Sequence, residues 1–254
     1  MPAACRADVE ALLRAKKLDR TLVPVTKGSG IALAIETMTT GLVVLDQQLG
    51  GGLPLGHFSE IVGPRSSGRT SLLLAMLAAT TARGELAALV DTFDMFDVES
   101  MATAGVRLDR LLWVRGDTST SAFPPSTASR RQPGADRAIE RALKATNLIL
   151  QAGGLSLVAL DLADAPIHAL RRIPMTTWLR LQKVLEGQQA AAIVTGTVPM
   201  SRSAGGVTLE LKQTGARGWG PGASVIESEV RIQRARLVPG MGAPVRLTAT
   251  ALVA

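Results

Sequence analysis

A single cysteine, Cys5, rules out an internal disulfide and fits a reducing compartment. Only two histidines, His57 and His168, stand beside it, so no structural zinc cluster can be assembled. Tyrosine is absent and aromatics make up 3% of the chain, so no platform of rings for stacking single-stranded bases is evident. Long apolar runs are missing as well. The longest, Leu72 to Ala79, falls far short of the ~20 residues needed to cross a bilayer. Arg6, Asp8 and Glu10 interrupt the N-terminus before any apolar stretch begins, so no secretory signal is expected. These absences predict a soluble cytoplasmic protein with no membrane partner.

What is present is a globular composition: 254 residues, 46% hydrophobic and 19% charged. That is enough for one well-packed α/β domain and too little for two generous ones. The net charge of +7 is compatible with nucleic acid or another acidic surface as partner, without specifying either.

In chain order, residues 7–20 carry Val9, Leu12, Leu13 and Lys16 at helical spacing with a charged opposite face, a short amphipathic helix. A stretch with Pro24, Gly28, Ser29 and Gly30 follows as a linker. Such a helix either docks on a partner or a neighbouring copy, or folds back on its own domain. The expected division is therefore 1–37 as helix and linker, and 38–254 as the core. Within the core, Leu42 to Leu49 reads as a short helix stopped by Gly50-Gly51-Gly52 and Pro54. Strands are expected at Phe58–Val62, Leu86–Val90, Leu111–Val114, Leu155–Leu160 and Ala190–Val194, and helices at 97–104, Asp136–Leu150 and Trp178–Leu185. Residues 117–135, rich in Ser, Thr and Pro, read as an exposed mobile loop. Val225 to Arg236 and Val245 to Leu252 read as a hairpin around Pro239–Gly242. Alternating buried strands and helices predict a mostly parallel twisted sheet with helices on both faces, closed by a C-terminal antiparallel hairpin. Ligands of such sheets bind at the carboxyl ends of the strands.

One stretch there carries chemistry. Gly63-x-x-x-x-Gly68-Arg69-Thr70 fits the phosphate-loop pattern G-x-x-x-x-G-K-[ST] except at Arg69, where the pattern has lysine. Such a loop works because backbone N–H groups and the following helix N-terminus point at the anion. Glycines let the backbone wrap the phosphates, and Thr70 supplies a hydroxyl for Mg²⁺. Arg69 keeps the charge but is longer and planar, so it cannot sit as lysine does. Binding needs only the cradle and the helix dipole, worth roughly 0.3–1 kcal/mol, whereas hydrolysis depends on fine placement. The residues expected to hold nucleotide are Gly63, Pro64, Arg65, Ser66, Ser67, Gly68, Arg69, Thr70 and Ser71. Asp161, ending the strand from Leu155, is either a metal-side acid beside Thr70 or a cap for the chain from Ala163 onward; Asp91 ends the neighbouring strand in the same way.

The run TTGLVVLDQQLGGGLPLGHFSEIVGPRSSGRTSLLLAML resembles the core of the RecA family of recombinases, and the resemblance continues through LAALVDTFDMFDVESMATAGVRLDRLLWVRGD. LSLVALDL is similar to that family's metal-side strand and SEVRIQRAR to its late edge strand. Coverage runs roughly over residues 38–238, thinning after the first 80. The resemblance implies a RecA-like core binding ATP and Mg²⁺, with Thr70 and Asp161 on the metal and Asp97 as an adenine-side acid. It also locates departures. The family's catalytic Glu falls at Phe93, its adenine-stacking aromatic at Ser100 and its γ-phosphate-sensing Gln near Thr197. The segment Leu162 to Pro174 is shorter than the family's first DNA loop, and no DNA-gathering domain follows the hairpin. Together with Arg69, these departures argue against a working ATPase.

The later half, TTWLRLQKVLEGQQAAAIV and then LELKQTGARGW, is similar to SOS-mutagenesis accessory proteins of the ImuA type, RecA-like cores with degenerate nucleotide sites. That likeness implies an accessory role in translesion synthesis, with a Y-family-polymerase-like protein and an error-prone DNA polymerase as partners. DNA and a recombinase filament are further candidate partners. The C-terminal part also carries much of the positive charge, and Arg217, Trp219, Arg234 and Arg236 are candidate DNA or partner contacts; the other reading is a surface turn and solvated edge charges. Two competing expectations are a divergent ATP-dependent recombinase with Asp94 or Glu99 as a displaced base, and a non-catalytic regulator of recombinase filaments.

Overall fold

A computed structural model describes residues 36–116, 133–201, 205–217, 222–235 and 244–253. By internal contacts the chain divides into Met1–Ala34 and Ile35–Ala254. The first unit, with the expected N-terminal helix, lies outside the described residues, as do 117–132 of the expected loop and the turn at 239–242.

The second unit begins with β1 (Thr37–Met38), α1 (Val43–Gln48) and β2 (Leu53–Pro54), β1 and β2 forming a small antiparallel pair. Asp46 ties this entry together: its carboxylate accepts from Thr40 N at 2.8 Å and Thr40 Oγ1 at 2.7 Å. β3 (Phe58–Val62) then leads through a loop into α2 (Arg69–Ala82), and β4 (Ala87–Asp91) into α3 (Val98–Thr103). β5 (Leu111–Arg115) precedes α4 (Pro133–Ala152), whose first residue is a proline with a preset helical φ. β6 (Leu157–Asp161), α5 (Ile167–Leu170), α6 (Met175–Leu185) and β7 (Ala191–Gly196) follow. Three long strands, β8 (Val207–Arg217), β9 (Gly222–Ala235) and β10 (Val245–Val253), end the chain.

Eight strands form one sheet in the order β10-β9-β8-β3-β7-β6-β4-β5. β5, β4, β6, β7, β3 and β8 run parallel, and β9 and β10 join antiparallel. Strand alternation sorts the core into two layers. Ile61, Leu89, Ala159 and Ile193 face Leu72, Leu73, Met76, Leu77 and Met101 of α2 and α3. Phe58, Val90, Leu160 and Val194 face Ile139, Trp178, Leu181 and Leu185 of α4 and α6. Each fully buried Leu or Phe contributes roughly 1.5–3 kcal/mol, so the two-faced alternation of the strands forces helices onto both sides. Phe58 and Trp178 meet edge to face at 6.2 Å between ring centroids. The fold is the α/β architecture expected, with its antiparallel C-terminal end.

Three readings change. The ribbon has a third long strand, β8, which runs on through Gly215 to Arg217, and Gly222 opens β9. One register shift leaves Thr214 as an extra residue in β8, between Gln213 and Gly215, and the other, opposite Thr208/Leu209, leaves Gln233 extra in β9. Residues 133–135, assigned from sequence to the mobile loop, are the first turn of α4. The Leu162–Pro174 segment is a packed turn around α5, with Ala165, Ala169 and Leu170 in the core.

Glu60 fastens the centre of this arrangement. It lies in β3 at 2% exposure. Its carboxylate accepts from the backbone N–H groups of Met200 and Ser201, the latter at 2.6 Å, and from Thr208 Oγ1 at 3.1 Å. The β7–β8 connection is therefore held by a side chain from the strand between its two ends. Glu60→Ala leaves three donors without an acceptor and should lower unfolding free energy by ~3 kcal/mol or more, with Glu60→Gln losing clearly less. Urea unfolding monitored by circular dichroism measures both, and an alanine variant as stable as the parent would contradict this role.

Candidate functional site

The parallel register lays a row of polar residues across the carboxyl ends of the central strands. Arg115 pairs with Asp91, Asp91 with Asp161, Asp161 with Thr195, and Thr195 with Ile61. One residue beyond that row, Val62 hands the chain to the Gly63–Thr70 loop, and Gly63 N donates to Gly196 O at 3.2 Å. The loop is closed by Ser67 N donating to Pro64 O at 3.3 Å, with Ser66 and Gly68 in the left-handed region at φ 61° and 90°. A Cβ on Gly63 would lie 2.5 Å from Leu211 O, and one on Gly68 would lie 2.8 Å from Ser228 Oγ. Both contacts come from the C-terminal ribbon, so β8 and β9 form one wall of the loop.

Several donors here are unspent. α2 starts without a side-chain cap, and the first N–H groups of any helix lack intrahelical acceptors. Among the described residues the buried hydroxyls of Ser67, Thr92, Thr197 and Ser228 have no hydrogen-bond partner. Main-chain donors, a helix N-terminus and an orphaned Ser67 hydroxyl are what a phosphate chain requires, and these residues fit one. A divalent ion fits less well. Asp161, 4% exposed, accepts from the Thr195 hydroxyl and from Ala163 N at 3.3 Å. Among the described residues no group of three or more His, Cys, Asp or Glu could hold a metal. Thr70, the other expected metal ligand, is exposed at the start of α2, and Ser71 beside it is half-buried.

Arg69 is buried, 7% exposed, and its Nη1 donates to Ala163 O at 3.4 Å. Burial lowers its pKa, while Asp161 and Asp164 act in the opposite direction. Arg65, exposed, pairs with Asp164 at 3.1 Å. Burial pushes the Asp161 carboxyl up to about 6 against the Thr195 hydrogen bond, and nearby Asp91 adds to the rise.

The remaining expected residues are scattered in role. Asp97 is the N-cap of α3, accepting from Ser100 N at 2.7 Å, a bond that lowers its pKa. Phe93 packs against the α4–α6 core layer. Asp91 is fully buried and accepts from Met95 N at 2.9 Å and Phe96 N at 3.0 Å, with burial raising its pKa. Asp94, one candidate for a displaced base, is paired with Arg115, which holds both of its oxygens at 2.6 and 3.0 Å and lies 4.8 Å over the Trp113 ring. Glu99 is exposed in the first turn of α3. Arg217 lies at the far end of the β8–β9 ladder from the Thr208–Arg234 pair, roughly 30 Å along the strands. Trp219 and Arg236 lie outside the described residues. Sequence reasoning missed Glu60, Thr195 and Ser228; an acid inside the apolar run Phe58–Val62 was the visible signal for the first.

Residues 16–127 match the RecA N-terminal domain family. The RecA protein of Crocosphaera subtropica is 42% identical over 96 residues, 38% of this chain and 28% of that protein. The RecA proteins of Synechocystis sp. and Nostoc punctiforme are 43% and 42% identical over 96 residues, each match covering 38% of this chain and 27% of the relative. The matched stretch thus spans under a third of these relatives. The fold is RecA-like. Among the described residues no helix is long and apolar enough to cross a membrane.

A buried acid whose pKa rises on folding contributes stability at low pH that is lost as pH climbs through the folded value. Asp161 should therefore cost on the order of 3 kcal/mol between pH 4 and pH 7 in metal-free buffer. Asp161→Asn removes that slope, so its unfolding free energy relative to the parent should rise across this window. Urea unfolding at a series of pH values measures the difference, and parallel curves for the two proteins would refute the assignment.

Proposed function

We propose that the chain is a RecA-like accessory or scaffold protein of the DNA-damage response, serving damage-induced translesion mutagenesis, with a nucleotide site that turns over little or no ATP. The observation that carries this reading is the turn after β4. Its Asp91 carboxylate is consumed by Met95 N and Phe96 N, Phe93 is packed into the core, and Asp94 is clamped by Arg115. Phe93 is not an acid and its neighbours Asp91 and Asp94 are already engaged, so general-base activation fails at the position where the resemblance puts it. The packed Leu162–Pro174 turn and the Glu60-held β7–β8 connection argue in the same direction. Both are spent on the chain's own core.

The phosphate cradle nevertheless fits, and ATP, with or without Mg²⁺, is the proposed ligand, held by the Gly63–Ser71 loop. The accessory role in mutagenesis, with a Y-family-polymerase-like protein and an error-prone polymerase as partners, is supported by the likeness of the later half to ImuA-type proteins. The reading as a divergent ATP-dependent recombinase would have to take Glu99, exposed in the first turn of α3, as its base.

Purified protein should hydrolyse ATP at background rate, and single-stranded DNA should leave that rate unchanged. A DNA stimulation on the order of tenfold or more would overturn the accessory reading in favour of a recombinase. Co-precipitation with the two polymerase partners from damage-induced cells tests the role itself, and a recombinase filament recovered in their place would favour the filament-regulator reading.

A further inference from the structure

A polyphosphate brings several full negative charges to a loop whose own donors carry only partial positive charge. In phosphate-loop proteins a divalent ion supplies the missing full charge, between the loop hydroxyl and a strand-end carboxylate. Here the strand-end carboxylate is Asp161, and a buried guanidinium donates to the main chain two residues beyond it. Arg69 is buried at 7% exposure and donates to Ala163 O, and Asp161 and Asp164 both favour its charged form. Arg65 brings a second guanidinium to the same turn through Asp164. The Asp161 carboxylate meanwhile takes a hydroxyl and a main-chain N–H from its own chain. A divalent ion entering this turn would meet two fixed positive charges and a carboxylate that carries hydrogen bonds already.

Arg69 also has capacity to spare. A guanidinium carries five N–H donors, and among the described residues Arg69 spends one, on Ala163 O. A buried cation with unspent donors is costly unless an anion completes it. The orphaned hydroxyls of Ser67 and Ser228, both buried, are a second and independent sign that a ligand with acceptor oxygens belongs beside the loop.

We propose that Arg69 is the resident cation of this site, replacing the divalent ion beside Asp161 and Asp164, so that the loop binds the phosphate chain of a nucleotide free of metal. The inference rests on the reading of Gly63–Ser71 as a nucleotide site, and it adds the metal-free form as the species bound. Recognition centres on the diphosphate, because Asp97 is spent as a helix cap and Ser100 offers no ring to an adenine.

The test is binding of a fluorescent ADP analogue to the full-length wild-type chain in EDTA and in excess Mg²⁺, with inorganic pyrophosphate as competitor and Mn²⁺ uptake followed by electron paramagnetic resonance. The expected affinities in the two buffers agree within about threefold, pyrophosphate displaces the analogue in EDTA, and no stoichiometric Mn²⁺ is taken up with or without ADP. Arg69→Ala, with its fold checked by circular dichroism, should lose about tenfold or more in EDTA and regain part of it with Mg²⁺. Wild-type binding that requires Mg²⁺, Mn²⁺ uptake at one per chain, or no displacement by pyrophosphate overturns the inference and leaves the nucleotide site standing. Failure to bind the analogue in either buffer overturns both.

Discussion

The parallel register of β3, β7, β6 and β4 is the constraint on which the rest of the molecule depends. It sets Thr195, Asp161 and Asp91 side by side at the carboxyl ends of neighbouring strands, one residue short of where the Gly63 loop departs. A slip of one residue in any of these strands would move its core face to the opposite helix layer and remove its polar end from the row. The hydrophobic alternation that secures the two helix layers therefore also places the site. Stability and site geometry are one specification.

Three carboxylates at or near one edge of a sheet would repel each other and resist burial, and the molecule resolves this separately for each. Asp91 is given two main-chain donors, Asp94 a bidentate arginine, and Asp161 a hydroxyl, a main-chain N–H and the nearby guanidinium of Arg69. Each solution uses up a group that a hydrolytic site would need free. A Glu placed at Phe93 would meet a turn already built around Asp91.

Much of the fold was legible because its parallel strands are short continuous apolar runs bounded by acids or glycines, as at Phe58–Val62 and Leu157–Asp161. The glycine–arginine–threonine run marked the loop for the same reason: its spacing has a mechanical meaning. What was not legible depended on distant partners. Glu60 looks misplaced in an apolar strand until the backbone of Met200 and Ser201, some 140 residues on, is seen to donate to it. β8 carries an extra residue, Thr214, that interrupts its period of two. Asp94 offered itself as a base because its arginine, at position 115, lies on another strand. Long-range pairing of charges leaves no periodic trace in a sequence.

The same logic bears on what a phosphate-loop motif reports. Gly63 and Gly68 are commonly read as room for phosphate, yet in this molecule each is also demanded by the chain itself, Gly63 by Leu211 O and Gly68 by Ser228 and its left-handed φ. Packing of the C-terminal ribbon would hold both glycines in place with or without a nucleotide. Arg69 and Phe93 are held by a main-chain acceptor and by core packing instead, and it is at those positions that the chain departs from a hydrolytic pattern. The glycine frame therefore testifies to the fold, while the state of the chemistry is read from the side chains that the fold leaves free to vary.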